Sequence, residues 1–310
     1  MSRSLFQTFK NSVIYYGVRV ATAIGRTLTL GGARSVGVLV GRLAYRVVPK
    51  ERDKALRNLA LAMPELPEET RRRIARAVFH NLGRSLFEIC WLPKLDEPRL
   101  RATTTIAGLE HFQAAVDRGR GVVLFTGHCG NWEWMASAIG LLGFRMNVIA
   151  REIYDPRLNE FIVASRAAQS VKTIGRGSAS SAREILQTLK NGDILGVLID
   201  QNIKAENVMV PFFNRPAPTP IGPAKLAIRS GAAVIVGFIE FRDGKQLIRF
   251  QPPIFPTRSD DPAELTATLT AAIEEQIRQA PEQWVWMHER WKVRKSNPIN
   301  VGQTLLSVPE

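Results

Sequence analysis

The spacing of apolar and polar positions changes character twice along the chain. Residues 11–48 are apolar but punctuated: runs such as Ser12–Tyr16 and Val36–Val40 are broken by single arginines at Arg19, Arg26, Arg34 and Arg42. A membrane-crossing helix needs about 20 consecutive apolar residues, and this segment contains no such run. The pattern predicts helices lying along an interface, with a break between two of them at Gly31–Gly32. Helices are predicted over 51–61 and 68–90, separated by Met63–Pro67 with its two prolines, and a second connection covers Leu92–Pro98. From residue 106 onward, short β-like runs alternate with helix-length segments, which is the pattern of an α/β layer fold. Strands are predicted at 121–126, 146–150, 194–199, 233–241 and 246–251. Helices are predicted at 110–118, 132–142, 156–170, 178–190, 222–229 and 262–279. The proline-punctuated stretch Ala205–Pro220 reads as a long loop, of the kind that often serves a site.

Charge changes this picture in one place. The 310 residues carry a formal net charge of +14, which suits an anionic partner: nucleic acid, an anionic membrane or an acidic carrier protein. Residues 1–50 hold Arg3, Lys10, Arg19, Arg26, Arg34, Arg42, Arg46 and Lys50, and the first acidic residue is Glu51. Apolar residues interleaved with arginine and no acid describe a helical segment in a lipid headgroup layer, with arginines reaching lipid phosphates. A soluble helical hairpin with a basic face has the same composition. No nucleic-acid-binding motif accompanies the charge, so nucleic acid is not the expected partner. The two cysteines, Cys90 and Cys129, form neither a disulfide framework nor a zinc spacing, and a reducing compartment is expected.

Candidate chemistry concentrates in Gly121-Val-Val-Leu-Phe-Thr-Gly-His-Cys-Gly-Asn-Trp-Glu133. A buried strand runs into a glycine-bracketed turn and then a helix whose N-cap is Asn131. His128 therefore falls at a strand's carboxyl end, where sites gather in open α/β sheets. On a continuous helix, residues five apart diverge by about 140°. With His128 in the turn and Glu133 on the first helical turn, the carboxylate can instead reach back to the imidazole. It would then fix the tautomer and raise the basicity of the other ring nitrogen for general-base chemistry. The alternative is that Glu133 serves the helix dipole and His128 is a turn residue. No third ligand at a recognisable spacing supports a metal site. Cys129 is a rival nucleophile, but adjacent turn residues rarely face each other, and a small packed thiol is the favoured reading.

The His128-x4-Glu133 motif resembles that of the bacterial lipid A biosynthesis acyltransferase family, within the wider glycerolipid acyltransferase group. Four further stretches carry the resemblance: Arg151 and Arg166 around a helix containing Pro156; Asp200–Gln201 closing a strand; Val210–Phe213 followed by Thr219 and Gly222–Ala227; and Pro281–Lys292. Asn214 departs from the pattern, standing where that loop often has glycine.

The resemblance implies a mixed central sheet flanked by helices, with residues 1–50 as a membrane-associating helical segment, 51–295 as the catalytic domain and 296–310 as a tail. It implies acyl transfer from acyl-carrier protein or acyl-CoA to a hydroxyl of a membrane glycolipid at the cytoplasmic face of the inner membrane, without metal or other cofactor. A lipid A precursor is the first-choice acceptor. A mannosylated phosphoinositide, a lysophospholipid or a non-catalytic role are the alternatives. By resemblance His128 is the base, Glu133 its orienter, and Arg151, Arg166, Asp200 and Gln201 are substrate-site residues. Backbone amides after His128 are candidate oxyanion donors. Each has a plainer reading: Arg166 as a solvated helix charge, Asp200 as a loop cap, and the Trp284, Trp286 and Trp291 cluster as core or as an interfacial belt. His288 reads as structural, and the oligomeric state is open.

Overall fold

The computed structural model describes residues 5–177 and 180–292, with side chains from residue 11 onward. The 296–310 tail and residues 178–179 of the expected 178–190 helix lie outside the described residues. Two helices open the chain, α1 (Leu5–Thr27) and α2 (Leu30–Val47), followed by α3 (Pro49–Ala62), α4 (Glu68–Trp91) and a short α5 (Glu97–Thr103). The layered part comprises β1 (Thr104–Ala107), α6 (Leu109–Asp117), β2 (Val122–Thr126), α7 (Trp132–Leu141), β3 (Met146–Ala150), α8 (Pro156–Ala167), β4 (Val171–Gly175), α9 (Ser181–Lys190) and β5 (Ile194–Leu198). It continues with β6 (Asn207–Phe212), β7 (Arg215–Pro220), α10 (Gly222–Ser230), β8 (Ala233–Arg242), β9 (Lys245–Phe250) and α11 (Pro262–Gln279).

Seven strands form the central sheet in the order β1-β9-β8-β2-β5-β3-β4. All its pairings are parallel except β8–β9. Every residue of β2 is buried, as expected for a strand covered on both faces. Its side chains alternate between two cores: Val123 and Phe125 join one with α10 and α11, while Val122 and Leu124 join the other with α6 and α7. This is the mixed sheet flanked by helices that the pattern and the resemblance predict.

Two expectations are corrected. The break in the amino-terminal pair falls at Leu28–Thr29, because the Thr29 hydroxyl accepts from the Gly32 amide at 3.1 Å and caps α2. Glycines of α2 have another use. A Cβ on Gly41 would overlap the Phe79 carbonyl and one on Gly37 the Gly83 carbonyl, so α2 lies in backbone contact with α4. The second correction concerns 205–220, which holds the two-stranded antiparallel ribbon of β6 and β7. Pro216, Pro218 and Pro220 alternate along β7, so their missing N–H groups all fall on one edge, and the strand still pairs. Phe213 and Asn214 form its turn with φ of 53° and 55°. That is the left-handed conformation a two-residue hairpin demands, and Asn tolerates it in place of glycine.

No helix among the described residues is long and apolar enough to cross a membrane. Both leading helices nevertheless expose an apolar stripe: Val13, Tyr16, Val20 and Ile24 on α1, and Leu39, Leu43 and Val47 on α2. Each set recurs at helical spacing, so each lies along one face.

Candidate active site

Parallel pairing of β2 with β5 brings the site together. Thr126 is opposite Leu198, so the residues two positions beyond them, His128 and Asp200, emerge side by side. Asp200 Oδ1 lies 2.7 Å from His128 Nδ1, and Asp200 Oδ2 accepts from the His128 backbone amide at 2.8 Å and from the Trp284 indole Nε1 at 2.7 Å. The carboxylate is 1 % exposed. Burial opposes its charge, but the neighbouring imidazole, its two bonds from His128 and the indole bond outweigh that and hold the carboxyl at about 2. An ionised Asp200 at Nδ1 fixes the proton there and leaves Nε2 as the basic nitrogen. The imidazole is partly exposed and lines a cleft of about 810 Å³. Trp132 meets it edge-on, with ring centroids 4.9 Å apart.

Glu133 is therefore not the orienter of His128. Its carboxylate is taken by the Arg166 guanidinium in a fork, Nε to Oε2 at 2.9 Å and Nη2 to Oε1 at 2.5 Å. The physical reason is position. Asn131 caps α7, its Oδ1 accepting from Trp134 N at 3.1 Å, so Glu133 points from the first turn toward α8. The adjacent strand end supplies the carboxylate for the imidazole instead. Burial alone would lower the Arg166 pKa; the bond and charge of Glu133 raise it above its ordinary value.

The two amides that directly follow His128 are not open donors. Cys129 N donates to Gly127 O and Gly130 N to Gln283 O, both at 2.8 Å. Gly130 needs its positive φ of 58° here, and a Cβ would strike the Ile239 carbonyl. Cys129 is buried, and burial followed by the Asp200 charge pushes its thiol well above the ordinary range. The packed-thiol reading holds. Trp284 and Trp286 are core residues, 1 % and 0 % exposed.

Arg151, Gln201 and His288 line the cleft with His128. Arg176 and Lys204, which no sequence motif marks, stand exposed on the same wall. They follow β4 and β5 as Arg151 follows β3, so all three cations gather at the carboxyl edge of adjacent strands. A second cavity of about 440 Å³, lined largely by apolar side chains of α1, α4 and α8, shares Glu133, Ala150, Arg151 and Arg166 with the cleft. The Glu133–Arg166 pair thus stands at the boundary between a polar cleft and an apolar cavity. Among the described residues no cluster of three or more His, Cys, Asp or Glu side chains is arranged to hold a metal ion.

The family model described as bacterial lipid A biosynthesis acyltransferase matches residues 5–293. The chain belongs to that family. It is 29% identical over 273 residues to the lipid A biosynthesis lauroyltransferase of Escherichia coli (strain K12), covering 84% of this chain and 85% of the relative. It is 25% identical over 243 residues to the phosphatidylinositol mannoside acyltransferase of Mycobacterium tuberculosis (strain CDC 1551 / Oshkosh), covering 76% and 75%. The crystal structure of the 1-acyl-sn-glycerophosphate acyltransferase PlsC from Thermotoga maritima aligns at a TM-score of 0.38 and 14% identity, covering 80% of this chain and 97% of that one. Membership makes the chain an acyltransferase acting on lipid.

Proposed function

We propose that this enzyme moves a fatty acyl group from a thioester donor, acyl-carrier protein or acyl-CoA, to a hydroxyl of a membrane glycolipid, with a lipid A precursor as the acceptor. The observation that carries the reading is His128, which lines the polar cleft and whose imidazole is held at Nδ1 by buried Asp200. The acceptor hydroxyl gives its proton to Nε2 as its oxygen attacks the thioester carbonyl. Asp200 stabilises the imidazolium that forms. Collapse of the tetrahedral intermediate breaks the C–S bond, and the departing thiolate takes the proton back from Nε2. The thioester is already activated, so no redox step enters.

The apolar cavity behind Glu133 and Arg166 suits the acyl chain, and the polar cleft suits the sugar. Arg151 in the shared wall, with Arg176 and Lys204, suits phosphate groups of acceptor or donor. The exposed apolar stripes of α1 and α2, with the arginines between them, support peripheral attachment to an anionic bilayer at its cytoplasmic face.

The test is an acyl-transfer assay with purified full-length protein, a detergent-dispersed lipid A precursor, and carrier-protein and CoA donors of several chain lengths. Product that disappears in His128→Ala supports the reading. A folded His128→Ala enzyme with normal turnover refutes the mechanism. A wild type active only on a mannosylated phosphoinositide moves the acceptor.

A further inference from the structure

Glu88 on α4 is 0 % exposed. Its Oε1 accepts from Arg34 Nε of α2 at 2.7 Å. Its Oε2 accepts from Asn131 Nδ2 at 3.0 Å and from Gln246 Nε2 of β9 at 2.8 Å. Arg34 is held in turn by the Gly244 carbonyl at 2.7 Å, and its guanidinium lies 4.7 Å from the centre of the Phe241 ring. A buried ion pair adds little stability over an apolar pair of the same volume. What this one does is converge three donors from three elements on one carboxylate, and one of those donors belongs to the catalytic turn.

Asn131 stands three residues after His128 and two before Glu133, and it is 2 % exposed. As an N-cap it needs only an acceptor oxygen, which Ser, Thr or Asp would also supply. Its amide group is the additional feature, and Glu88 holds it at 3.0 Å, with the Ser85 carbonyl as a longer second acceptor at 3.4 Å. With the Nδ2 end fixed, Oδ1 can point only at the Trp134 amide, so the side chain has one orientation. The opposite flank of the turn is held by the carboxyl-terminal segment, through Gly130 N to Gln283 O at 2.8 Å and Val285 N to His128 O at 3.2 Å. The turn between base and carboxylate is thus clamped from two sides, and Glu88 is the clamp on the α2 and α4 side.

We infer that Glu88, oriented by Arg34, is a positioning residue for acyl transfer: through the Asn131 amide it sets the placement of His128 and Glu133. The inference rests on the reading of His128 as the base. It also makes α2 part of the catalytic machinery, because Arg34 belongs to the helix whose outer face carries Leu39, Leu43 and Val47.

The experiment uses the full chain with Glu88→Gln, Asn131→Ser, the double variant, and Arg34→Met beside Arg34→Lys. Turnover is measured well below each variant's melting temperature and normalised to folded protein. Asn131→Ser keeps a capping oxygen and removes only the amide. We expect Asn131→Ser and Glu88→Gln each to lower kcat by about 10- to 100-fold, with donor KM within about threefold, the pattern of lost transition-state alignment. The double variant should be no slower than the slower single, because both break one link. Arg34→Lys should retain more turnover than Arg34→Met.

A second readout needs no turnover. The titration of the His128 ring, followed by NMR of histidine-labelled protein, should move in Asn131→Ser and Glu88→Gln and stay put in the surface control Glu97→Gln. Folded variants with lowered melting temperature but unchanged kcat and an unmoved titration would overturn the inference and leave Glu88 a packing residue. If Glu88→Gln does not fold, Asn131→Ser and Arg34→Met decide. If the wild type transfers no acyl group, the acyl-transfer reading fails, while the titration still decides whether Glu88 positions the turn.

Discussion

Replacing Asp200 by Asn changes one atom and removes one charge, and the surrounding donors dictate how the new side chain sits. Three of them converge on the carboxylate: the His128 amide and the Trp284 indole on Oδ2, and the imidazole on Oδ1. Asn has one acceptor oxygen. Directed at the two fixed donors, that oxygen keeps both bonds and turns the NH2 group toward Nδ1. The imidazole must then accept at Nδ1, which places its proton on Nε2 and removes the base from the cleft. The opposite rotamer leaves the buried amide and indole facing an NH2, at a cost of about 1–3 kcal/mol per unsatisfied donor. The first arrangement wins, and with it the wrong tautomer. The same tautomer exchange in a hydrolase triad costs about 10⁴-fold in kcat. Asp200→Asn should therefore lower kcat by about 10³- to 10⁴-fold, or about 4–5.5 kcal/mol of barrier, with little change in donor KM. Single-turnover transfer from a radiolabelled acyl thioester gives a range wide enough to measure this. A folded Asp200→Asn enzyme retaining more than about a tenth of wild-type kcat would refute the assignment of Asp200 as the tautomer-fixing group.

Glu133→Gln should behave differently, because Glu133 holds Arg166 and does not touch the imidazole. It should cost about 1–3 kcal/mol of stability from the unpaired guanidinium and lower turnover without shifting the His128 titration. A shift matching that of Asp200→Asn would return Glu133 to the imidazole. Acid stability depends on Asp200: its folded pKa of about 2 lies below the ordinary 3.8. Its contribution of about 2 kcal/mol is therefore complete above about pH 4 and lost as pH falls through about 2. The wild-type advantage in urea midpoint over Asp200→Asn should narrow over that window. Gly41→Ala should destabilise by about 2–4 kcal/mol, since its Cβ would overlap the Phe79 carbonyl. Gly17→Ala, with open space around it, should stabilise by about 0.5–1 kcal/mol, with thermal melts reading both.

Periodicity locates the elements that carry their own signal. Met146–Ala150 and Pro262–Gln279 have the same boundaries in sequence pattern and structure, because one is a bounded apolar run and the other opens with a proline at its first position after an Asp cap. Two edge strands lack such a signal. β1 reads Thr-Thr-Ile-Ala and β4 reads Val-Lys-Thr-Ile-Gly, and short edge strands hold too few buried positions to alternate visibly. The ribbon of β6 and β7 resembles a loop in sequence because proline density normally argues against a strand. The alternation of those prolines is the signal that marks it as one.

The sequence names candidate site residues and not the contacts among them. The motif marks His128 and Glu133 and the family resemblance adds Arg166 and Asp200, yet proximity pairs the wrong two: Glu133 lies five residues from His128 and Asp200 seventy-two. Distance along the chain is a poor guide at the carboxyl edge of a parallel sheet, because neighbouring strands are joined by long crossovers. Here the register of β2 on β5 decides the partner. Thr126 and Leu198 are opposite each other, and the chain runs two residues further from each to reach His128 and Asp200. Once that register is known, the His128–Asp200 contact is required by it, and Glu133 is released to meet Arg166. The sequence holds one clue to the order of these strands. Val122–Thr126 and Ile194–Leu198 are both almost entirely apolar, as central parallel strands are. Two such runs in one α/β chain are the natural candidates for neighbours at the middle of the sheet, and their ends are the first place to look for a carboxylate beside a histidine.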